Sequence, residues 1–330
     1  MDNLFQTRSL TAAVNLINPV PTIVLDQVFG RKLRQLSPRF AWDVQSVSDR
    51  VLKSISAAEP AQVAAMDGYN TITCDAPRFA EKRLITASDL SAMRGFGQAA
   101  LPELLKERIG REQAQMRRKM DLTREFMAAK ALTGQIIDDT GTVLVDYNFA
   151  ASQTPVLTGT NLWTDAASDP LKNIRAWKKQ IAQAMGNVSN WVAFAGSDAM
   201  DALLNNTKVL ELIKYTQGGE VANDGRIANL GGVAVFEYFG SYVDAAGNRQ
   251  DLIPADAFIL VGQVDDAFAE LFAPVVDFES EFGAGSGKPG EVFFAKSWKT
   301  DDPSGRWLKL EARPLPVLMR PDAIVHATVV

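Results

Sequence analysis

The stretch Leu101–Gly134 constrains this chain more than any other. Pro102 stands where a first helical turn tolerates a missing N–H, and Gly134 stands where a helix can end. Between them Leu, Arg, Lys, Glu, Gln, Met and Ala dominate, all strong helix formers. Apolar residues recur at Leu105, Ile109, Met116, Met120, Met127 and Ala131, with spacings of 4, 7, 4, 7 and 4. That pattern repeats every eleven residues, close to the natural helical pitch, so one face stays apolar with little supercoiling. Glu107/Arg111, Arg108/Glu112 and Arg117/Asp121 are opposite charges four residues apart, expected on the solvent side. A continuous helix of this length would run about 50 Å, beyond the ~30 Å diameter of a small domain. Gly110 is where a bend is expected. Such a helix in 330 residues predicts a spine beneath a flat molecule rather than a packed ball.

The remaining composition narrows the classes. The length allows two ordinary domains or one elongated one. With 47% hydrophobic and 22% charged residues the chain is composed like a folded protein. A net charge of −5 argues against a nucleic-acid wrapper with a basic stripe, while leaving weaker contact with packaged DNA open. Cys74 is the only cysteine, which excludes intrachain disulfides and cysteine-based metal sites. His326 is the only histidine, so a multi-histidine metal site within one chain is excluded. It lies in the alternating run 323–330, where a structural strand histidine is favoured over a Ser-His-Asp hydrolase. No basic leader precedes an apolar core, and no apolar run approaches the ~20 residues of a membrane span. The expectation is synthesis and use in a cytosol, with no membrane partner.

Along the chain, residues 1–40 read as an arm. Leu4, Phe5, Leu10, Val14, Leu16 and Ile17 are apolar, but Pro19 and Pro21 stop one helix from running through. Arg31, Lys32, Arg34 and Arg39 form a basic cluster, either a solvated loop or part of an arm that needs another surface. Residues 41–86 read as two long strands of a projecting hairpin joined by 57–68, a unit marginal on its own and expected to rest on another copy. Residues 135–149 form a second hairpin turning at Asp138–Gly141, whose aspartates serve the turn more cheaply than catalysis. From Thr154 the pattern is α/β. Asp169-Pro170 opens a helix through Ile174, Trp177, Ile181 and Met185, Trp191–Ala195 is a buried strand, and Ser197 or Asp198 caps the next helix. A helix from Thr207 to Tyr215 follows, then strands at 231–239, 241–243 and 257–261. The last quarter is β-rich, with strands at 268–282 and 291–298 around a glycine-rich loop.

Chemistry is sparse. Gly285-Ser-Gly-Lys-Pro-Gly290 matches a dinucleotide pattern, yet Pro289 and the strand-like residues after it deny the helix such a loop must open. Asp265/Asp266, Asp301/Asp302 and Glu279/Glu281 supply carboxylates without a convincing ligand set. No nucleophile elbow or base-paired cysteine stands out. No catalytic residue, cofactor or metal is expected, and the balance points toward assembly.

Three segments then carry a resemblance: Asn190–Leu204, Tyr242–Gly262 and Leu315–Val325. In this order and spacing, the chain resembles the tailed-phage major capsid proteins of the lambda-type capsid protein E family along its whole length. The resemblance implies an α+β fold of the Hong Kong 97 type. Its parts would be an N-terminal arm (1–40), an extended β-hairpin loop (41–97), a peripheral domain (98–153) with the spine helix 101–134, an axial domain (154–267), and return strands (268–330). It implies hexamers and pentamers of the chain tiling an icosahedral shell around double-stranded DNA bound without sequence specificity. It implies too a separate scaffolding protein, contacts with a decoration protein and a portal, assembly in the host cytoplasm and a final place in the virion. Contact candidates between subunits are Phe5, Leu10, Val14, Arg31, Arg34, Arg39, Trp42, Met66, Tyr69 and Arg117. The alternatives are an encapsulin-like compartment and, behind it, an α/β enzyme using His326.

Overall fold

The computed structural model describes residues 5–45, 69–86, 88–89, 101–216, 226–227, 229–279, 292–302 and 304–330. The chain forms two compact units, one from 1–40, 73–128 and 269–317, the other from 41–72, 129–268 and 318–330. The long helix is present from Leu101 to Leu132 and runs through Gly110 without a break. Gly134 follows at φ +101°, a left-handed conformation that ends a helix with glycine at little cost. The division into units falls within this helix, after Ala128.

In the first unit, strands Phe294–Thr300, Gly305–Ala312 and Phe79–Thr86 form an antiparallel sheet with Gly305–Ala312 in the middle. Its buried Ala295, Leu308, Leu310, Ala312 and Ile85 pack with Ile109, Met116 and Met120 of the helix and with Phe5, Leu10 and Val14 of the arm. The arm is therefore folded rather than waiting for a surface. Residues Thr7–Leu16 form a helix laid along the outer strand of the sheet. The Thr11 hydroxyl accepts from Ala295 N at 3.0 Å and donates to Ala295 O at 3.0 Å, taking the place of a missing neighbour strand. Asn15 Nδ2 donates to Phe293 O at 3.0 Å. A second short helix, Ile23–Val28, follows Pro21.

Two sequence expectations are corrected here. The basic segment is not a loop: Lys32–Arg34 is a strand paired in parallel with Phe268–Phe272, which also pairs with Pro314–Leu318. The expected hairpin keeps its pair of strands as far as they are described and loses only its last segment. Arg39–Gln45 pairs with Tyr69–Asp75, and Phe79–Thr86 belongs instead to the three-stranded sheet. Pro77 separates the two, since a proline cannot continue a ladder. The predicted connection 57–68 lies outside the described residues, as does the glycine-rich loop 283–290.

In the second unit, the described residues form a five-stranded sheet. Its order is Ile324–Thr328, Ala257–Gln263, Asn190–Ala195, Ala234–Glu237 and Arg226–Ile227. The middle pair, Asn190–Ala195 with Ala234–Glu237, is parallel and the others are antiparallel. Ala257–Val261 is buried on both faces, as expected of an unbroken apolar run inside a layered unit. Helix Pro170–Met185 is capped by Asp169, whose side chain accepts from Lys172 N, with Pro170 in the first turn. Its Trp177 lies with Trp163 and Phe258 in an aromatic cluster with centroids 4.9–6.1 Å apart. Helix Ser197–Asn205 starts after Gly196 without a side-chain cap, against the expectation for Ser197 or Asp198. A Cβ at Gly196 would fall 2.2 Å from Pro254 O, so close approach of two backbones sets this position. Helix Thr207–Thr216 completes the layer.

Gly110 is exposed and a Cβ there would meet nothing. Gly110→Ala should stabilise the chain by about 0.5–1 kcal/mol. Met116→Asp, at a fully buried position, should lose several kcal/mol (order of magnitude). Urea melts of both variants against wild type measure the difference.

Candidate functional site

Beside its apolar stripe the long helix buries a second, polar one. Gln113, Arg117, Asp121 and Glu125 recur every four residues and are nearly inaccessible. Each answers a specific need. Gln113 Nε2 donates to Leu10 O at 3.3 Å, and Arg117 Nη1 donates at 3.0 Å to Val14 O near the end of the arm helix, which also accepts from Ile17 N at 3.2 Å. The Glu125 carboxylate accepts from Val24 N at 2.8 Å and Leu25 N at 3.1 Å, capping the helix that Thr22 leaves uncapped. Asp121 accepts from Arg117 Nε at 2.9 Å and from Arg124 Nη1 at 2.8 Å. Arg124 in turn grips Glu270 through two bonds of 2.6 and 2.7 Å. The Arg117 guanidinium lies 3.8 Å from the Phe293 ring centroid. Burial pulls the Arg117 pKa below its usual value. Burial acts the same way on Arg124, but Glu270 and Asp121 together carry it above.

The pairs expected on the wet side therefore divide. Glu107 and Arg111 are exposed, whereas Glu112, Arg117 and Asp121 are buried. Arg117 is corrected from an outer-face residue to an interior one because the arm covers it. A second ion cluster surrounds Glu311, which is 1% exposed. Arg78 holds it through two bonds of 2.9 Å, and Lys309 pairs with both Glu311 and Asp277. Burial would raise the Glu311 pKa, but the hydrogen bonds from Arg78 and Lys309 bring it below 4.5.

Among the contact candidates, Phe5, Leu10, Val14, Trp42 and Arg117 are buried within the chain. They serve its own fold, not a free surface, and are corrected accordingly. Arg31, Arg34 and Arg39 are exposed, with Arg39 Nε 3.3 Å from Asp75. Tyr69 is placed by its backbone in a strand, and Met66 lies outside the described residues. His326 sits in strand Ile324–Thr328 opposite Ile259. Its Nε2 is buried without a hydrogen-bond partner, and burial lowers its pKa, with Asp256 pulling up and Lys130 down. Among the described residues no hydroxyl bonds that atom, so they lend the hydrolase reading no support. The Asp138 carboxylate accepts from Thr140 N and Thr142 N at 2.9 Å, which is turn chemistry. No cluster competent to hold a metal occurs among the described residues, and no helix among them is long and apolar enough to cross a membrane.

The family model for phage major capsid protein E matches residues 6–329. The chain belongs to the phage major capsid protein E family. Similar solved structures share its fold at low identity. A candidate capsid protein of an E. coli CFT073 prophage is 16% identical, with 98% of this chain and 99% of that one covered and a TM-score of 0.69. A phage-related protein from Bordetella bronchiseptica RB50 is 13% identical, with 98% and 97% covered and a TM-score of 0.59. The capsid protein of Cyanophage P-SCSP1u is 9% identical, with 95% and 90% covered and a TM-score of 0.57. No curated protein matches the sequence. The α+β architecture of this capsid protein is thus the Hong Kong 97-type fold.

Two measurements test the ion clusters. Glu270→Ala strands Arg124 in the interior and should cost about 3–5 kcal/mol in a urea melt, whereas Arg111→Ala at the exposed pair should cost under about 1 kcal/mol. Because the folded pKa of Glu311 is depressed, its stabilisation is present above pH 4.5 and lost as pH falls through the folded value. Urea midpoints should drop on acidification below that point, and Glu311→Gln should flatten the drop.

Proposed function

We propose that copies of this major capsid protein close, as hexamers and pentamers, into an icosahedral head shell around double-stranded DNA bound without sequence recognition. The observation that carries the reading is a capsid-family match over residues 6–329. A chain that covers its own core and sheet edge can stay folded as a free subunit, and head-to-tail contacts between such subunits generate closed assemblies. The protein is a structural component of the virion, assembled in the host cytoplasm with a separate scaffolding protein. A portal and a decoration protein complete the partners. Its role is mechanical, with no catalysis assigned to His326.

Co-expression with the scaffolding protein should give megadalton particles by light scattering and closed shells by electron microscopy. A stable monomer or dimer under all conditions would defeat the reading. His326→Ala should assemble as wild type does. Particles carrying a packaged enzyme in place of DNA would favour the compartment alternative.

A further inference from the structure

The second unit carries two open grooves that share no residue and have opposite charge. The first, about 560 Å³, has an apolar floor that includes Ile174, Trp191 and Leu230, and a rim of Arg175, Lys178 and Lys179. Lys178 is held in place, donating to Gly231 O at 2.9 Å and lying 5.1 Å from the Trp191 ring centroid. Arg175 and Lys179 point outward from helix Pro170–Met185, one turn apart, and Lys172 extends the same exposed side. Among the described residues, no carboxylate lines this groove. The second groove, about 400 Å³, is lined by Asp165, Asp198 and Asp201 with Ala166 and Ala202, and no Lys or Arg among the described residues lines it. Asp198 and Asp201 lie exposed on helix Ser197–Asn205.

We propose that the cationic groove of one copy receives the acidic face around Asp198 and Asp201 of a second copy, head to tail. The inference rests on the shell reading above and names the contact within it. Charge complementarity selects the occupant: the groove offers cations over an apolar floor, and the acidic face offers carboxylates beside alanines. Different surfaces meeting head to tail form a heterologous contact, the kind that closes rings. Complementary charge would also steer the encounter and fix its register.

The test uses the full chain with its scaffolding protein. One variant, Arg175→Glu with Lys179→Glu, makes the groove negative. The other, Asp198→Lys with Asp201→Lys, makes the acidic face positive. All four side chains are exposed, and urea melts should report both variants folded. Each variant alone should lose more than about tenfold of its particle yield, because like charges then face each other. One chain carrying all four substitutions should recover particles, since its altered groove and its altered face are again opposite in charge. Wild-type yields from both variants alone would refute the contact and leave the shell reading standing. Failure of the four-substitution chain to recover, while folded, would also refute it. Normal shells with reduced DNA content in the groove variant would assign the cations to nucleic acid instead. A wild-type chain that never forms shells would remove the shell reading itself.

Discussion

Everything in the first unit depends on keeping Arg117, Asp121, Arg124 and Glu270 neutral as a set. Two cations and two anions are almost fully withdrawn from water. Any one of them alone would carry a desolvation cost that no apolar packing nearby could offset. Together they satisfy each other, and the surplus donor of Arg117 reaches the backbone of the arm at Val14. The cluster joins three parts of the chain that are distant in sequence: the arm, the long helix and the strand Phe268–Phe272. An apolar core could hold these parts as tightly. A set of directed bonds also fixes which turn of the helix meets which residue, because a shift by one turn would leave charges unmatched.

The same economy governs the sheet. Its exposed edge would invite another strand, and the arm helix removes that invitation with a single hydroxyl. The interior of the chain is thus closed by its own residues. Among the described residues the surface left for neighbours mixes charged and polar groups with scattered large apolar ones, Leu16, Val156, Phe239 and Phe278 the most exposed. That balance suits a subunit that must be soluble before it is incorporated and cohesive afterwards.

Elements whose cause is local were legible in the sequence. Asp169-Pro170 caps and starts its helix, Asp138–Gly141 turns its hairpin, and 257–261 forms a buried strand, each for reasons contained within a few residues. The long helix was legible because its period persisted for 32 residues. Burial of its polar side was not. An Arg and an Asp four apart look alike whether wet or dry, and what dries Arg117 is Val14, 103 positions away, together with Phe293. One signal was present: Gln113, Arg117, Asp121 and Glu125 keep the same four-residue step as a buried stripe. The exchange of Phe79–Thr86 from hairpin to sheet had a local sign too, in Pro77. No local sign marks the cationic and acidic grooves, which exist only once separate helices and strands are brought side by side.

The seat of the arm has a consequence for how the chain is born. Thr11 and its partner Ala295 are 284 positions apart. During synthesis the arm leaves the ribosome early and can meet the long helix once Glu125 has emerged, but its contact with the strand must wait for Ala295. The strand it protects is bare for as long as the two remain apart. Docking of this edge must therefore wait until Ala295 has emerged, through a contact of very high sequence separation, which is a slow step by its topology. Fragments released early would carry an undocked amphipathic helix, and subunits lacking the arm an open edge.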